Sequence, residues 1–534
     1  MRPRRHRKQP LSNLPEGARR CSPKAPSRAR RHRAKKRNTF SDFGQREIDQ
    51  MKPINVLYIM SDQHQGKASG CYGHDFIQTP NIDALAESGT RFARSFTNSA
   101  ICVPARAALA TGRHVHQTEY WDNGHPYEGR VKAWHHMLKE NGASATSIGK
   151  LHFRNESDDT GFEEQIIPMH VVEGKGDARG CIKRPMTPPM EKSGTMTQCG
   201  PGESPYLQYD HDIAEQTCEW LRAKAAVPNK DPFCAFVSFV CPHPPYIAPP
   251  DIYDIYDKME MPMPKLRDPE AEYHPWIKQS QWMRNYDDFV TEESLPVLMK
   301  SYYGCTSYLD SNIGKVITAL EETGLRDNTL IIYTSDHGEN LGTRCLWGKS
   351  NMYEEASFIP MIVSGPDIPA GKVSQTPVTL IDIAPTILDA QNLSEVAETQ
   401  KLPGASLIGI AQADSNPDRV AFTEYHAAAA ERSAFMIRKG KYKYIHYVSY
   451  EPELFDLDAD PEELTSLHND PAHADTLKDL ESALREICDP EAVDEAAYVS
   501  QCAKVEAAGG REALMARGKY QGTPAPGHDP VFMT

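Results

Sequence analysis

From residue 54 onward, short uninterrupted apolar runs alternate with stretches whose apolar residues recur every three or four positions. The runs INVLYIM (54–60), PFCAFVSFV (232–240) and TLIIYTS (329–335) read as strands buried on both faces, with ATSIG (145–149) as a shorter companion. PNIDALAES (80–88) and VKAWHHMLKENG (131–142, closed by Gly142) read as helices, as does the long segment 294–324 that ends at Gly324. This alternation predicts an α/β fold over 51–415, a mainly parallel sheet sandwiched by helices. After residue 416 the pattern changes. RVAFTEYH, SAFMIRKG and KYKYIHYV predict three strands, the last two joined in a hairpin at Lys439-Gly440, and residues 470–487 form an amphipathic helix. Residues 416–490 are therefore expected to be a smaller α+β domain. Two segments lack periodicity. Residues 155–207 are rich in Gly, Pro and Met and read as a loop or insertion of the kind that shapes a substrate pocket. The tail 491–534 is too poor in apolar residues for its own core; it is expected to be extended, either lying on another surface or disordered, and it hints at wrapping a neighbouring subunit if the chain forms a homo-oligomer.

Composition adds three constraints. The chain has 534 residues, 39% hydrophobic and 25% charged, ordinary for a globular protein, and no apolar run reaches the roughly 20 residues that cross a bilayer. Its 12 cysteines contain no CxxC pair, which points to a reducing, cytoplasmic setting without a membrane partner. The net charge of −14 is uneven: residues 1–38 hold 15 Lys and Arg against one acid, Glu16, leaving 44 basic and 72 acidic residues elsewhere. Residues 1–50 read either as a disordered basic arm suited to nucleic acid or anionic lipid, or as the product of a start codon placed ahead of Met51. The body is too acidic to bind nucleic acid by charge.

In open α/β sheets, ligands bind beyond the carboxyl ends of the strands. Asp62 and Gln63 follow the first predicted strand, Asp336 and His337 follow TLIIYTS, His243 follows PFCAFVSFV, and Lys150 and His152 follow ATSIG. Hard oxygen donors with one imidazole suit Ca²⁺, Mg²⁺ or Mn²⁺ better than a structural zinc. Lys150, His152, His243, Lys349 and Arg106 surround them with cations and proton carriers, a composition fit for a tetrahedral anion. In ICVPARAALATGRH (101–114), Pro104 suits a first helical turn and Thr111-Gly112 a helix end, so residue 102 lies near free backbone N–H groups. Local physics leaves three readings of Cys102 open: an anion seat, a thiolate nucleophile, or a buried inert thiol. His135 and His136 are assigned to a helix face, Cys71 to a structural role and Asp382 to a helix start.

CVPAR followed by TGR resembles the sulfatase signature C-x-P-[SA]-R with T-G a few residues on. TPNIDALAESGTRF, GKLHF, PHPP, SDHGE and WGKSNMYEE agree with that family in order and spacing over about 54–460. Within the family the chain is most similar to the choline-sulfatase-like and phosphonate monoester hydrolase group. The resemblance implies the alkaline-phosphatase-like fold and a sulfuric ester hydrolase whose Cys102 is oxidised to formylglycine by a maturation enzyme. It implies that Asp62, Gln63, Asp336, His337 and residue 102 hold one divalent metal ion, Ca²⁺ or Mn²⁺. Residue 102 would be the nucleophile, steadied by Arg106; Lys150 and Lys349 would grip the sulfate. His152 would help expel sulfate, His243 would protonate the leaving oxygen, and Asn123 would bind substrate. Gln63 replaces a frequent Asp and His337 a frequent Asn, which weakens the hold on Ca²⁺ and opens the site to Mn²⁺. Lys150-x-His152, where phosphonate monoester hydrolases carry Tyr-x-Thr, favours a small-molecule sulfate ester over a phosphonate monoester or phosphate diester. The rival outside this class is a non-catalytic binder whose Cys102 is never oxidised.

Overall fold

The computed structural model describes residues 53–533 except 190, 192–193, 228–230 and 521; the basic arm of residues 1–50 lies outside the described residues. The large sheet contains β1 (Asn55–Asp62), β2 (Thr90–Phe92), β3 (Ala145–Lys150), β4 (Glu164–Met169), β5 (Cys234–Pro242), β6 (Thr329–Ser335), β7 (Met361–Ser364) and β8 (Lys372–Ser374). Its order is β8-β2-β7-β6-β1-β5-β3-β4. β7 runs antiparallel to both its neighbours, and every other pairing is parallel. Alternate residues of each strand face opposite layers. Val56, Tyr58, Met60, Phe236, Leu330 and Ile332 pack against α2 (Cys102–Thr111), α3 (Trp134–Glu140) and α6 (Ile383–Ala390). Leu57, Ile59, Val237, Phe239, Ile331 and Tyr333 pack against α1 (Pro80–Glu87), α4 (Pro205–Ala226) and α5 (Ser294–Glu322). Burial on both faces is why these strands read as continuous apolar runs.

Two irregularities at the carboxyl edge aim side chains. The pairing of β1 with β5 slips between Met60 and Asp62, and that of β3 with β4 slips between Ile148 and Lys150. The second slip centres on Gly149, at φ +96°, where a Cβ would lie 2.4 Å from the Ser238 carbonyl oxygen. Bulges of this kind re-aim the residue that follows, here Asp62 and Lys150.

The expected α+β region contains four antiparallel strands, one more than the pattern predicted: β9 (Ala421–Tyr425), β10 (Ala434–Lys439), β11 (Tyr442–Tyr447) and β12 (Glu453–Asp456). The hairpin turn is Gly440-Lys441, one residue beyond the expected pair, with Gly440 at φ +57°. One face of this sheet packs Tyr425, Met436 and Tyr447 on Phe96 and Ile101 of the main body. The other packs Phe435, Ile437 and Leu454 on Leu480 and Leu484 of α7 (Ala474–Ile487).

Two expectations are corrected. Residues 155–207 are not wholly irregular, because β4 lies there; its half-exposed edge position and Pro168 leave no continuous apolar run to read. The tail is not extended: it forms α8 (Pro490–Ala507) and α9 (Gly510–Arg517) on its own chain. Ala497 joins Ala108 and Trp121, while Val505 and Leu514 join Ala178, Cys181 and Ile182. A few apolar residues at helical spacing suffice when another surface supplies the rest of the core.

Leu484→Ala removes a fully buried side chain from the seam between α7 and the second sheet. It is expected to lower unfolding free energy by about 3 kcal/mol, read as a lower denaturant midpoint at unchanged slope.

Candidate active site

All ten residues of α2 are buried, and Ile101, the residue before the helix, supplies no side-chain cap. The Val103 N–H donates to Asn123 Oδ1 at 3.2 Å, so Asn123 is tied to the helix mouth. Arg106 lies one turn after Cys102 and therefore on the same face. Its Nε donates to Asp336 Oδ2 at 2.9 Å and an Nη to Asp62 Oδ2 at 3.3 Å, while the other Nη reaches the Lys150 carbonyl and Ser238 Oγ. Lys150 Nζ also pairs with Asp62 Oδ2. Burial pushes the Asp62 carboxyl up, but Lys150, His243, Lys349 and Arg106 together hold it well below the usual carboxylate range.

The remaining oxygens face a common point. Asp62 Oδ1 lies 3.7 Å from both Cys102 Sγ and His337 Nε2, and Asp336 Oδ1 lies 3.5 Å from the same imidazole nitrogen. His337 Nδ1 sits 3.1 Å from the Gly338 carbonyl, which only accepts, so Nδ1 carries the proton and Nε2 presents its lone pair to Cys102 Sγ at 3.1 Å. Burial lowers the His337 pKa to about 4, keeping the ring neutral and able to ligate. Ligand atoms of Asp62, Cys102, Asp336 and His337 all lie within 4.8 Å of one another. Two carboxylates, a neutral imidazole and residue 102 converging at that spacing fit a single divalent cation.

Not every residue predicted from the sequence sits as expected. Gln63, at φ +69°, is next to the cluster, but its Oε1 accepts from Lys349 Nζ at 2.5 Å and its Nε2 donates to Glu339. Lys150 is engaged with Asp62 and does not line the pocket that opens above residue 102. That pocket is lined by Cys102, Asn123, His152, His243 and Lys349 among others. Lys349 Nζ is 3.3 Å from Cys102 Sγ; burial lowers its proton affinity, but Cys102, Asp62 and Asp336 more than reverse this and raise it. His152 Nε2 contacts Thr523 Oγ1 at 2.7 Å, and burial with Lys150 and Arg106 nearby holds its pKa well below 6.5. His243 Nδ1 donates to the Pro244 carbonyl, and burial with Lys349 lowers its pKa. His135 is buried on α3, with ring contacts to Trp134 and Phe162.

Several participants carried no sequence signal. Tyr246 OH and Glu339 Oε2 (2.7 Å apart) hold the Gln63 amide, and Thr523 arrives from the C-terminal segment. Asp122 fixes the Asn123 loop: it accepts from the Gly124 N–H, from His125 Nδ1 and, through Oδ2, from Gln501 of α8. Glu339, in the same SDHGE stretch as Asp336, and Asp122, next to Asn123, lay close enough in the chain to have been noticed.

A sulfatase family model matches residues 54–393, and a model for the C-terminal region of N-sulphoglucosamine sulphohydrolase matches residues 342–489. The chain belongs to the sulfatase family. It is 33% identical to a choline-sulfatase of Rhizobium meliloti (strain 1021) over 435 residues, covering 78% of this chain and 83% of that protein. It is 29% identical to arylsulfatase K of Danio rerio, covering 83% and 85%. Among solved structures, the phosphonate monoester hydrolase of Agrobacterium radiobacter superposes with a TM-score of 0.63 at 23% identity, covering 81% of this chain and 95% of that one, and shares the fold. The sulfatase is thus an enzyme of sulfate ester hydrolysis with the expected mainly parallel α/β architecture. No helix among its described residues is long and apolar enough to cross a membrane.

Asp62→Asn removes the charge that Lys150 and Arg106 balance and one oxygen of the four-residue cluster. Calorimetric titration with Ca²⁺ and with Mn²⁺ is expected to show a loss of affinity larger than the about 10–100-fold typical of a group one step behind a ligand.

Proposed function

We propose that this sulfatase cleaves a small-molecule sulfate monoester to an alcohol and sulfate, using residue 102 as formylglycine and one divalent cation, Ca²⁺ or Mn²⁺. The observation that carries the reading is the position of Cys102: at the mouth of α2, 3.1 Å from His337 Nε2, 3.3 Å from Lys349 Nζ and 3.7 Å from Asp62 Oδ1. An inert core thiol has no need of such neighbours. Hydrated formylglycine supplies an oxygen nucleophile for sulfur and, by returning to the aldehyde, a way to release sulfate without a second water. A cation held by Asp62, Asp336, His337 and residue 102 supplies Lewis acidity to the oxygens around it.

The chain's own groups do the rest. Arg106 and the N-terminal N–H groups of α2 fix residue 102 and favour negative charge there. Lys349, permanently charged, neutralises sulfate oxygens as charge moves onto them. His243, with Nδ1 on Pro244, offers Nε2 for the proton that the departing alkoxide takes up. His152 accepts the proton lost when the sulfated diol collapses, its Nδ1 having no hydrogen-bond partner among the described residues. Because Cys102 is 2% exposed and α2 is buried throughout, the maturation enzyme must act before this segment folds. The likeness to a choline-sulfatase makes choline sulfate the reference ester against which other alcohols are to be compared.

Protein co-expressed with a formylglycine-generating enzyme is expected to carry an aldehyde at residue 102 in the mass spectrum of peptide 94–113, and to release sulfate from 4-nitrophenyl sulfate, both lost in Cys102→Ala. An unmodified thiol in protein that still releases sulfate overturns the reading, and a higher kcat/KM for the matching phenylphosphonate ester reassigns the reaction. Lys349→Ala is expected to lower kcat by about 10²- to 10³-fold, measured on the matured enzyme.

A further inference from the structure

We infer that the same pocket contains a second anion subsite formed by Arg179, Arg284 and Lys519, so that the alcohol portion of the substrate bears a carboxylate or a further sulfate. This rests on the sulfate-ester reading above and names the class of ester. The three cationic side chains line the pocket that contains residue 102 and Lys349. They come from three separate regions: the stretch after β4, the segment before α5, and the chain beyond α9. The Arg284 guanidinium is hydrogen-bonded with Tyr425, but its Nε is buried without a hydrogen-bond partner, and neither Arg179 nor Arg284 forms an ion pair among the described residues. A guanidinium nitrogen buried without a partner is costly unless a ligand satisfies it.

Among the described residues, four cations, Arg179, Arg284, Lys349 and Lys519, line this pocket against two carboxylates, Asp122 and Asp177. Asp122 lines the pocket, but its Oδ1 accepts from the Gly124 N–H and His125, and its Oδ2 from Gln501. Asp177, which also acts on Arg284 after Tyr425 and Tyr286, accepts from the Gly180 N–H at 3.2 Å. Tyr286 reports the resulting field: burial pushes its hydroxyl up, yet Lys519 and Arg284 bring it below its ordinary value. A quaternary ammonium needs open aromatic faces or free carboxylates. The Tyr286 ring already faces the Lys519 ammonium, 5.7 Å from its centroid, and the Tyr246 hydroxyl is tied to Glu339. The pocket therefore repels a cationic alcohol and receives an anionic one.

The test compares kcat/KM of matured, metal-loaded enzyme for 4-carboxyphenyl sulfate, neutral 4-carbamoylphenyl sulfate and choline sulfate. The carboxylate is the weaker electron-withdrawing substituent, so intrinsic reactivity runs against the preference sought. The expected result is a carboxyl-to-carbamoyl ratio of about ten or more, the scale of one charge-assisted hydrogen bond, with choline sulfate poorest. Arg284→Gln and Lys519→Gln should each pull that ratio toward one. A ratio near one in the unmodified enzyme, a ratio unmoved in both variants, or choline sulfate as best substrate overturns the subsite while the sulfatase reading survives. Failure of all three esters to release sulfate removes that reading and this inference with it.

Discussion

The site depends on one buried guanidinium. Asp62 and Asp336 end adjacent parallel strands, β1 and β6, whose register pairs Ser61 with Ser335, so their carboxylates are forced together at the edge of the sheet. Neither is exposed. Arg106 spans both and, through the Lys150 carbonyl and Ser238, reaches β3 and β5 as well. It thus clamps four neighbouring strand ends at once and sets how deeply the first turn of α2 seats against them. Taking one member from such a buried ion pair typically costs about 3–5 kcal/mol, because the partner is left charged in a poor solvent. Residue 102, one turn earlier, inherits its position from this clamp.

Around the clamp the backbone is held away from its easiest conformations. Gln63, His152 and Ser350 have φ of +69°, +58° and +88°; Gln63 and Ser350 directly follow Asp62 and Lys349, and His152 is itself a site residue. Strain of this kind persists only where the surroundings over-determine it. Here the surroundings are the bulges in β1 and β3 and the bonds from the Gln63 N–H to Asp336 and from Tyr302 OH to the Gln63 carbonyl. The two hydrophobic layers supply the rigidity, and the carboxyl edge uses it to hold side chains in unfavourable places. The C-terminal sheet contributes to the same end, since Ile101, the residue before Cys102, is packed beneath it.

What was legible in the chain follows from how each part is stabilised. β1, β5 and β6 are buried on both faces, so their apolar runs announce them, and the polar residues that follow them in sequence fall at the carboxyl edge by topology alone. Asp62, Asp336, His337 and His243 were readable for that reason, His152 because it follows the shorter run of β3, and the CVPAR stretch singled out Cys102 and Arg106. β4 and β12 were not readable, being short, at an edge, or only partly apolar. Pairings that join distant segments were not readable either. Thr523 meets His152 across 371 positions, and Gln501 meets Asp122 across 379. Both depend on where the C-terminal helices dock, which weak apolar periodicity does not reveal. The destination of a charge was also hidden: Lys150 was recognisable as a site residue, but only the fold shows that it spends its charge on Asp62.

The two proposed anion sites of the pocket therefore differ in kind. At the first, Asp62 and Asp336 repel any anion that approaches residue 102, and Arg106 and Lys150 are consumed in balancing them, leaving Lys349 as the cation that faces the pocket there. On the proposed mechanism, anion binding there depends on a divalent cation held by Asp62, Asp336 and His337. The subsite inferred from Arg179, Arg284 and Lys519 would attract an anion with no such requirement. On the two proposals together, a substrate with two anionic groups is drawn in by the second cluster, and its sulfate is accepted beside residue 102 only when the carboxylates are neutralised by their metal. Affinity and reactivity are thereby assigned to different parts of one cavity, and the charge inventory of the buried edge is what separates them.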